Sequence, residues 1–352
     1  MLTPIPQVGA LTTLWGGSAI LNPMRSLAPA LLLSLALAAQ PDSFRLEGIR
    51  HEYQRFNNCG PATLGMAMSF WGSRLTQYQI APVLKPNRAD KNVGPEELAA
   101  YARSQGYRVH YGVAGDLELL KQLLAAGFPV IAESGFVVPE HGWMGHYRLL
   151  VGYDDRSQRF FAFDSYYGPK VTLGYSDFDA VWSHFNRTYL VVYPPKEAGE
   201  VERVLGPHAR PEWAWKRALE VALSQTKAEP ANVHAWFNLG SALLEQGNVE
   251  GAAEAFDKAR ALGWPWRMLW YQFGPFEAYY RAGRYTEVVR LASANLAKAP
   301  DLEESLYWRG RAQAALGNLR LAKTDLQAAL RLRPSYGEAA QVLKSLGVQG
   351  SR

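Results

Sequence analysis

The stretch Asn57-Asn58-Cys59-Gly60-Pro61-Ala62-Thr63-Leu64 holds the only cysteine of a 352-residue chain, and its reading decides the fold. With no second cysteine the chain cannot close an internal disulfide, so the thiol is either an inert core group or a nucleophile. The residues after it read as a helix. Pro61 suits a first helical turn, Leu64, Ala67, Met68 and Trp71 recur at helical spacing, and Gly72 ends the run. A cysteine at a helix N-terminus meets the positive end of the macrodipole and unpaired backbone N–H groups. Both favour the thiolate, the form that attacks carbonyls. Taken alone, a single cysteine reads as a buried structural residue; this context makes it a candidate nucleophile.

Outward from that stretch, the length provides for two domains, and 48% hydrophobic with 12% aromatic residues supplies two cores. The formal net charge of +5 is spread thinly. Lys216-Arg217 is offset by Glu220, and Glu200-Val201-Glu202-Arg203 is mixed in sign. This pattern implies a solvated surface, and no nucleic-acid partner is expected.

Residues 1–40 read as a leader. Met24-Arg25 precedes an apolar run from Ala30 to Ala39 that exits through small residues, the parts of a secretory signal. The run is too short for a comfortable membrane span, and no cysteine stands after it at a lipid-attachment position. Met24 is an alternative start, because residues 1–23 lack this logic. The expectation is export to the periplasm or the exterior, with no stable membrane span once the leader is cleaved; an uncleaved leader would tether the protein instead. A single thiol fits an oxidising compartment, where it cannot mispair within the chain.

Residues 44–195 mix helix and strand signals. Gly94-Pro95-Glu96-Glu97-Leu98 starts a helix that stops at Gly106, and Asp116 to Ala126 forms another with Leu117, Leu120 and Leu124 on one face. The period then changes. Phe128–Ala132, Tyr147–Val151, Phe160–Phe163 and Thr188–Val192 are short runs of strand type, so this segment is expected to be α+β. Pro194-Pro195-Lys196-Glu197-Ala198-Gly199-Glu200 breaks the composition, and residues 196–211 read as a linker.

Residues 212–347 turn Ala- and Leu-rich and repeat. Pro300 and Pro334 stand 34 residues apart, and Gly247, Gly283 and Gly317 fall in the turn inside each unit. Trp236-Phe237-Asn238-Leu239-Gly240, with Leu243, Gly247, Ala252 and Phe256, resembles the tetratricopeptide repeat. The third unit keeps Gly310, Ala322 and Ala329, whereas the second carries Phe276 at the small-residue position and is degenerate. Glu212–Gln225 and Tyr336–Leu346 would cap an all-α solenoid. The resemblance implies a protein partner or substrate docked in the concave face. Trp264, Trp266, Trp270, Tyr271, Tyr279 and Tyr280 cluster near the degenerate unit and read mainly as inter-helix core, with a minority lining a peptide groove.

A thiolate needs a base, and histidine titrates near neutrality. His146, in Gly145-His146-Tyr147-Arg148-Leu149-Leu150, opens a buried-looking strand straight after a loop. Asp164 closes the next apolar strand; if the two pair as a hairpin, it stands beside His146 and orients the imidazole. Gln54, shortly before the cysteine, is placed to donate to an oxyanion. His141 is a rival base without a strand to fix it, while His51 and His184 read as surface or structural residues. Asp164 also suits a turn beside Ser165 and Gly168. One cysteine and scattered histidines give no zinc spacing, and no cofactor is expected.

Gln54, Asn58-Cys59-Gly60-Pro61-Ala62, Gly145-His146-Tyr147, Gly152-Tyr153 and Phe163-Asp164 resemble, in content and order, the papain-like cysteine peptidases. The branch is the family-thirty-nine-like one, related to the bacteriocin-leader-processing peptidases. The resemblance covers residues 44–195. It implies Cys59 as nucleophile, His146 as general base and acid, Asp164 as orienter and Gln54 as oxyanion donor, acting on a peptide or protein substrate. The family's glutamine stands six residues before the cysteine and Gln54 five, which leaves Asn57 and Asn58 as alternative donors. The transporter regions of the bacteriocin-processing enzymes are missing, so their double-glycine leader specificity does not carry over. Two competing readings keep the same fold: a silent peptide-binding module, and an acyl transferase or amidase using the same Cys–His pair.

Overall fold

Seven strands form a single sheet in the computed structural model, which describes residues 40–349. They are β1 (Ser43–Arg45), β2 (Arg108–Gly112), β3 (Val130–Val138), β4 (Gly142–Asp154), β5 (Arg159–Asp164), β6 (Gly168–Gly174) and β7 (Tyr189–Tyr193). The order is β2-β7-β3-β4-β5-β6 with β1 on β4, every pairing antiparallel. β3, β4 and β7 are buried along nearly their whole length, as their apolar sequences require, and sit centrally. The leader expected over residues 1–40 lies, but for Gln40, outside the described residues.

Helices α1 (Cys59–Phe70), α2 (Gln77–Leu84), α3 (Pro95–Ser104), α4 (Leu117–Ala125), α5 (Tyr175–Trp182) and α6 (Ala198–Leu205) accompany the sheet. Residues 196–211, expected as a linker, instead include α6, whose Val201 and Leu205 are buried in the core of this half because they fall on one apolar helix face. α1 is buried on all sides from Gly60 to Ser69, because it packs between β4 and the other helices. α3 has Pro95 at its start and acids in its first turn, and α4 is capped by the Asp116 side chain on the Leu119 N–H at 2.8 Å. This half is α+β, as the sequence implies. β1, β2 and β6 carry no strand signal in the sequence. β2 and β6 are edges with one neighbour, where Arg108, Pro169 and Lys170 are tolerated.

The remaining chain is helical: α7 (Pro211–Ala228), α8 (Val233–Glu245), α9 (Val249–Leu262), α10 (Gly274–Arg281), α11 (Tyr285–Lys298), α12 (Glu303–Ala315), α13 (Leu319–Leu332) and α14 (Gly337–Gln349). Gly247, Gly283 and Gly317 take φ of +79°, +73° and +81° in the turns within the helix pairs. Gly240 is required for a different reason: a Cβ there would stand 2.7 Å from the Phe256 ring, so the missing side chain is what lets that ring lie against α8. The second pair departs from the others. Its first helix has eight residues and comes after an irregular stretch, residues 263–273, holding only one 3₁₀ turn (Met268–Trp270).

The helical half lies against the sheet half through polar as well as apolar contacts. Asn238 donates to the Ser183 carbonyl at 2.6 Å and Gln272 to that of His184 at 3.1 Å. Lys91 pairs with Asp301 at 2.7 Å and Arg333 with Glu97 at 2.6 Å. His184 stacks on His234 with ring centroids 3.5 Å apart. Part of the repeat surface is thus occupied by the chain itself. Among the described residues no helix is long and apolar enough to cross a membrane.

Candidate active site

Strand β4 brings His146 and Arg148 to one face, and register sets their partners. Ser134 of β3 stands opposite His146, and Asp164 of β5 opposite Arg148. Asp164 is therefore a diagonal neighbour of His146 and still reaches it: its Oδ1 lies 3.0 Å from His146 Nε2. The same Oδ1 accepts from the backbone N–H groups of Tyr166 (2.7 Å) and Tyr167 (3.0 Å), while Oδ2 accepts from Arg148 Nε at 2.9 Å. Asp164 both closes the turn after β5 and orients the imidazole, so the two roles weighed from sequence coexist. Arg148 Nη1 donates to Ser134 Oγ at 2.7 Å, and Phe136 stacks on the imidazole at 4.5 Å.

With Nε2 of His146 committed to Asp164, Nδ1 is the nitrogen left for the thiol. Cys59, half-buried at the first position of α1, lies beside the His146 ring and the backbone of Tyr147. Burial pushes the thiol up, but the His146 ring and its charge, the Tyr147 backbone and the ammonium of Lys85 bring it below the ordinary range. Burial presses His146 down, and Asp164 and Cys59 together hold it above its usual value. Burial also works against the Asp164 charge, yet His146, Arg148 and the backbone donors keep it far below the usual carboxylate range. All three shifts favour a thiolate–imidazolium pair backed by a carboxylate.

Gln54 lines the cleft beside Cys59. Its Oε1 accepts from Ser165 Oγ at 2.8 Å, which leaves the amide Nε2 as the end free to donate. The alternatives are engaged. Asn57 Nδ2 donates to the Asp90 carbonyl at 3.2 Å; Asn58 donates to Gln77 Oε1 at 3.1 Å and accepts from Lys85 Nζ at 3.2 Å. Because the Asn58 side chain turns away, the N-terminus of α1 has no side-chain cap, and its first N–H groups face the cysteine end unblocked. Asn57 holds φ +54°, a conformation asparagine tolerates, and turns the chain into the helix.

His141 sits exposed in the turn between β3 and β4 at the rim of the cleft, while His184 is bonded to Trp143 Nε1 at 3.1 Å and His51 to the Asp164 carbonyl at 2.9 Å. Neither His51 nor His184 lines the cleft. Among the described residues no cluster of three or more His, Cys, Asp or Glu is arranged to hold a metal. Sequence reasoning passed over Arg148 and Lys85. A lone cation in an apolar strand, two residues after His146, was a usable signal for Arg148; nothing local marks Lys85, whose ammonium reaches the Asn57 carbonyl at 2.9 Å from α2's end.

The cleft holds about 560 Å³ and is bounded on one side by the helical half, through Arg267, Trp270 and Tyr271. The Tyr271 ring packs against Gly145, and Arg267 donates to the His141 carbonyl.

A cysteine heading a buried helix, beside a strand histidine that is tied to an aspartate, defines a cysteine-peptidase-type fold, here joined to helical repeats. Residues 40–190 match the Peptidase_C39 like family, and residues 233–263 and 303–336 each match the tetratricopeptide repeat. The chain therefore carries a peptidase-C39-like domain followed by repeats of a protein-binding type. The second helix pair, where Phe276 replaces a small residue, lies between the two repeat matches. No curated protein matches the chain. Among solved structures, MamA 41-end from Desulfovibrio magneticus RS-1 is 18% identical, covering 44% of this chain and 83% of its own, with a TM-score of 0.36. The first TPR of Spaghetti (RPAP3), bound to an HSP90 peptide, is 20% identical, covering 34% of this chain and 94% of its own, with a TM-score of 0.31. At these scores the similarity carries no functional information.

Proposed function

We propose that this protein is an exported cysteine peptidase with Cys59 as nucleophile, His146 as general base and acid, Asp164 as orienter and Gln54 as oxyanion donor. The observation that carries the reading is the placement of Cys59 beside His146, whose ring is hydrogen-bonded to Asp164, in one cleft. In the reaction the thiolate attacks a peptide carbonyl carbon, and the resulting oxyanion accepts from Gln54 Nε2 and the Cys59 backbone N–H. The imidazolium gives its proton to the departing amine as the C–N bond breaks, leaving a thioester. His146 then takes a proton from water, whose oxygen attacks the thioester; the acid product leaves and the thiolate–imidazolium pair is restored. The catalytic part spans residues 44–195, and the repeats at residues 212–347 bind protein.

Labelling of Cys59 with a thiol-reactive peptide-like probe across pH tests the reading. Rapid labelling below the ordinary thiol range, lost in His146→Ala, is expected; slow labelling indifferent to His146 would turn the protein into a binding scaffold. Sequencing the N-terminus of secreted material tests export with cleavage near residue 40.

A further inference from the structure

The cleft around Cys59 and the adjoining one beyond Phe56 differ from the rest of the surface in charge. The first is lined by Arg55, Lys91 and Arg267 together with His141 and His146; the second, of about 660 Å³, by Arg55, Lys85 and Arg88. Neither is lined by a single carboxylate, although the whole chain carries 32 acidic residues against 37 basic ones. Lys91 is neutralised by Asp301 at 2.7 Å. Arg55, Arg88 and Arg267 have no carboxylate partner among the described residues: Arg55 Nε donates to Tyr78 Oη at 2.8 Å, and Arg267 to a backbone carbonyl. Uncompensated guanidinium groups facing a concave site are a receptor for carboxylate.

Arg267 comes from the helical half. It lies over the Trp266 ring at 4.2 Å and the Trp270 ring at 5.5 Å, so its planar head is held in place. Trp270 lines the same wall and, together with Trp266, holds the Arg267 guanidinium over the cleft. The irregular stretch before α10 is what brings these side chains over the cleft; a regular repeat helix would have placed other residues there.

We propose that the substrate is a peptide carrying a carboxylate near the bond attacked, gripped by Arg267 and Arg55, so that the repeat half builds a wall of the catalytic cleft. The inference rests on the peptidase reading for the word substrate, and on the cleft itself for the specificity.

Binding measured on full-length Cys59→Ala, which cannot turn over, separates the two. Four fluorescein-labelled octapeptide pools serve as probes: Asp/Glu-containing or their Asn/Gln counterparts, each with a free or an amidated C-terminus. Fluorescence anisotropy at low salt is expected to show the carboxylate-bearing pools binding at least about tenfold more tightly than the neutral amidated pool. Arg267→Gln and Arg55→Gln should each erode that preference, and Arg267→Lys should keep most of it. Preference for the amidated acidic pool assigns the carboxylate to a side chain; preference for the neutral free-acid pool assigns it to the chain end. Equal binding of all four pools, no binding at all, or a preference untouched in both glutamine variants would overturn the inference. Thiol labelling of the wild-type chain decides turnover separately: an acidic preference with an unreactive Cys59 would keep the specificity and remove the enzyme.

Discussion

Two protons decide what Cys59 can do. The thiol is held below its ordinary range and His146 above its own, and both shifts favour a thiolate–imidazolium pair. Alkylation of Cys59 by iodoacetamide should therefore persist well below the pH at which a free thiol falls silent. In His146→Ala burial is opposed only by Lys85 and the backbone, and the reactive form should retreat to alkaline pH. A stopped alkylation series across pH 4–10 reads both curves, and superimposable curves would sink the pairing. Asp164→Asn is the sharper substitution. It removes the imidazole's orienter and leaves Arg148, whose side chain is 8% exposed, as a buried cation without its partner. Turnover should fall on the order of 10²–10⁴-fold. Stability to urea should fall by about 3–5 kcal/mol, the usual cost of breaking a buried pair. Since Asp164 is held ionised in the fold, its contribution is full above about pH 4 and lost as pH falls below that.

Strand β4 is where sequence and packing meet most tightly. A Cβ at Gly145 would stand 2.8 Å from Phe185 and 2.9 Å from Tyr271, one residue before His146. Gly145→Ala must push a ring or the strand aside, at about 1–3 kcal/mol measured by thermal unfolding, and should lower turnover by displacing His146. An unchanged melting temperature would mean that both rings yield freely. The same strand shows what sequence reasoning can reach. Cys59 and Asp164 were legible because each stands at the end of an element whose signal is local: Pro61 after the cysteine, an apolar strand before Asp164. His146 was expected to open its strand after a loop, but β4 begins at Gly142 and His146 lies inside it, because the glycine- and aromatic-bearing residues before it pair with β3. That Asp164 pairs in register with Arg148 and meets His146 diagonally depends on strand pairing, which no local pattern specifies. β2 and β6 were invisible for a related reason, since an edge strand needs neither apolar alternation on both faces nor freedom from proline. Tyr271 and Trp270 approach the site from over a hundred residues away. The sequence marked them as an aromatic cluster, and only the docking of the two halves gives them a cleft to line.

That docking has a titratable seam. Asp90 and Glu303 are pushed up to about 6 and about 7 by burial, and Glu304 beside them further still. Arg333, across the seam, is already paired with Glu97, and Lys85 is the other cation facing Asp90. Glu303 Oε2 is buried with no hydrogen-bond partner, as a protonated carboxyl would tolerate and a carboxylate would not. The folded chain therefore holds protons that the unfolded chain releases near pH 4. This contribution is full below that pH and is lost as pH rises through about 6–7. Three imidazoles act in the opposite sense: burial holds His110 and His184 down to about 4 and His234 to about 3, so they cost stability as pH falls from about 6.5. The wild-type profile mixes the two signs, and Glu303→Gln separates them. Glutamine fills the same space without the charge, so the variant should be about 2 kcal/mol more stable than wild type at pH 7.5 and little different at pH 5. Thermal unfolding at both values reads the difference. A variant destabilised at pH 7.5 would mean that Glu303 is ionised and usefully paired. An equal gain at both values would mean that packing, not a proton, is responsible. If the difference appears, the carboxyl part of the seam around Asp90 and Glu303 is most stable in mild acid, while the His184–His234 stack in the same seam acts in the opposite sense.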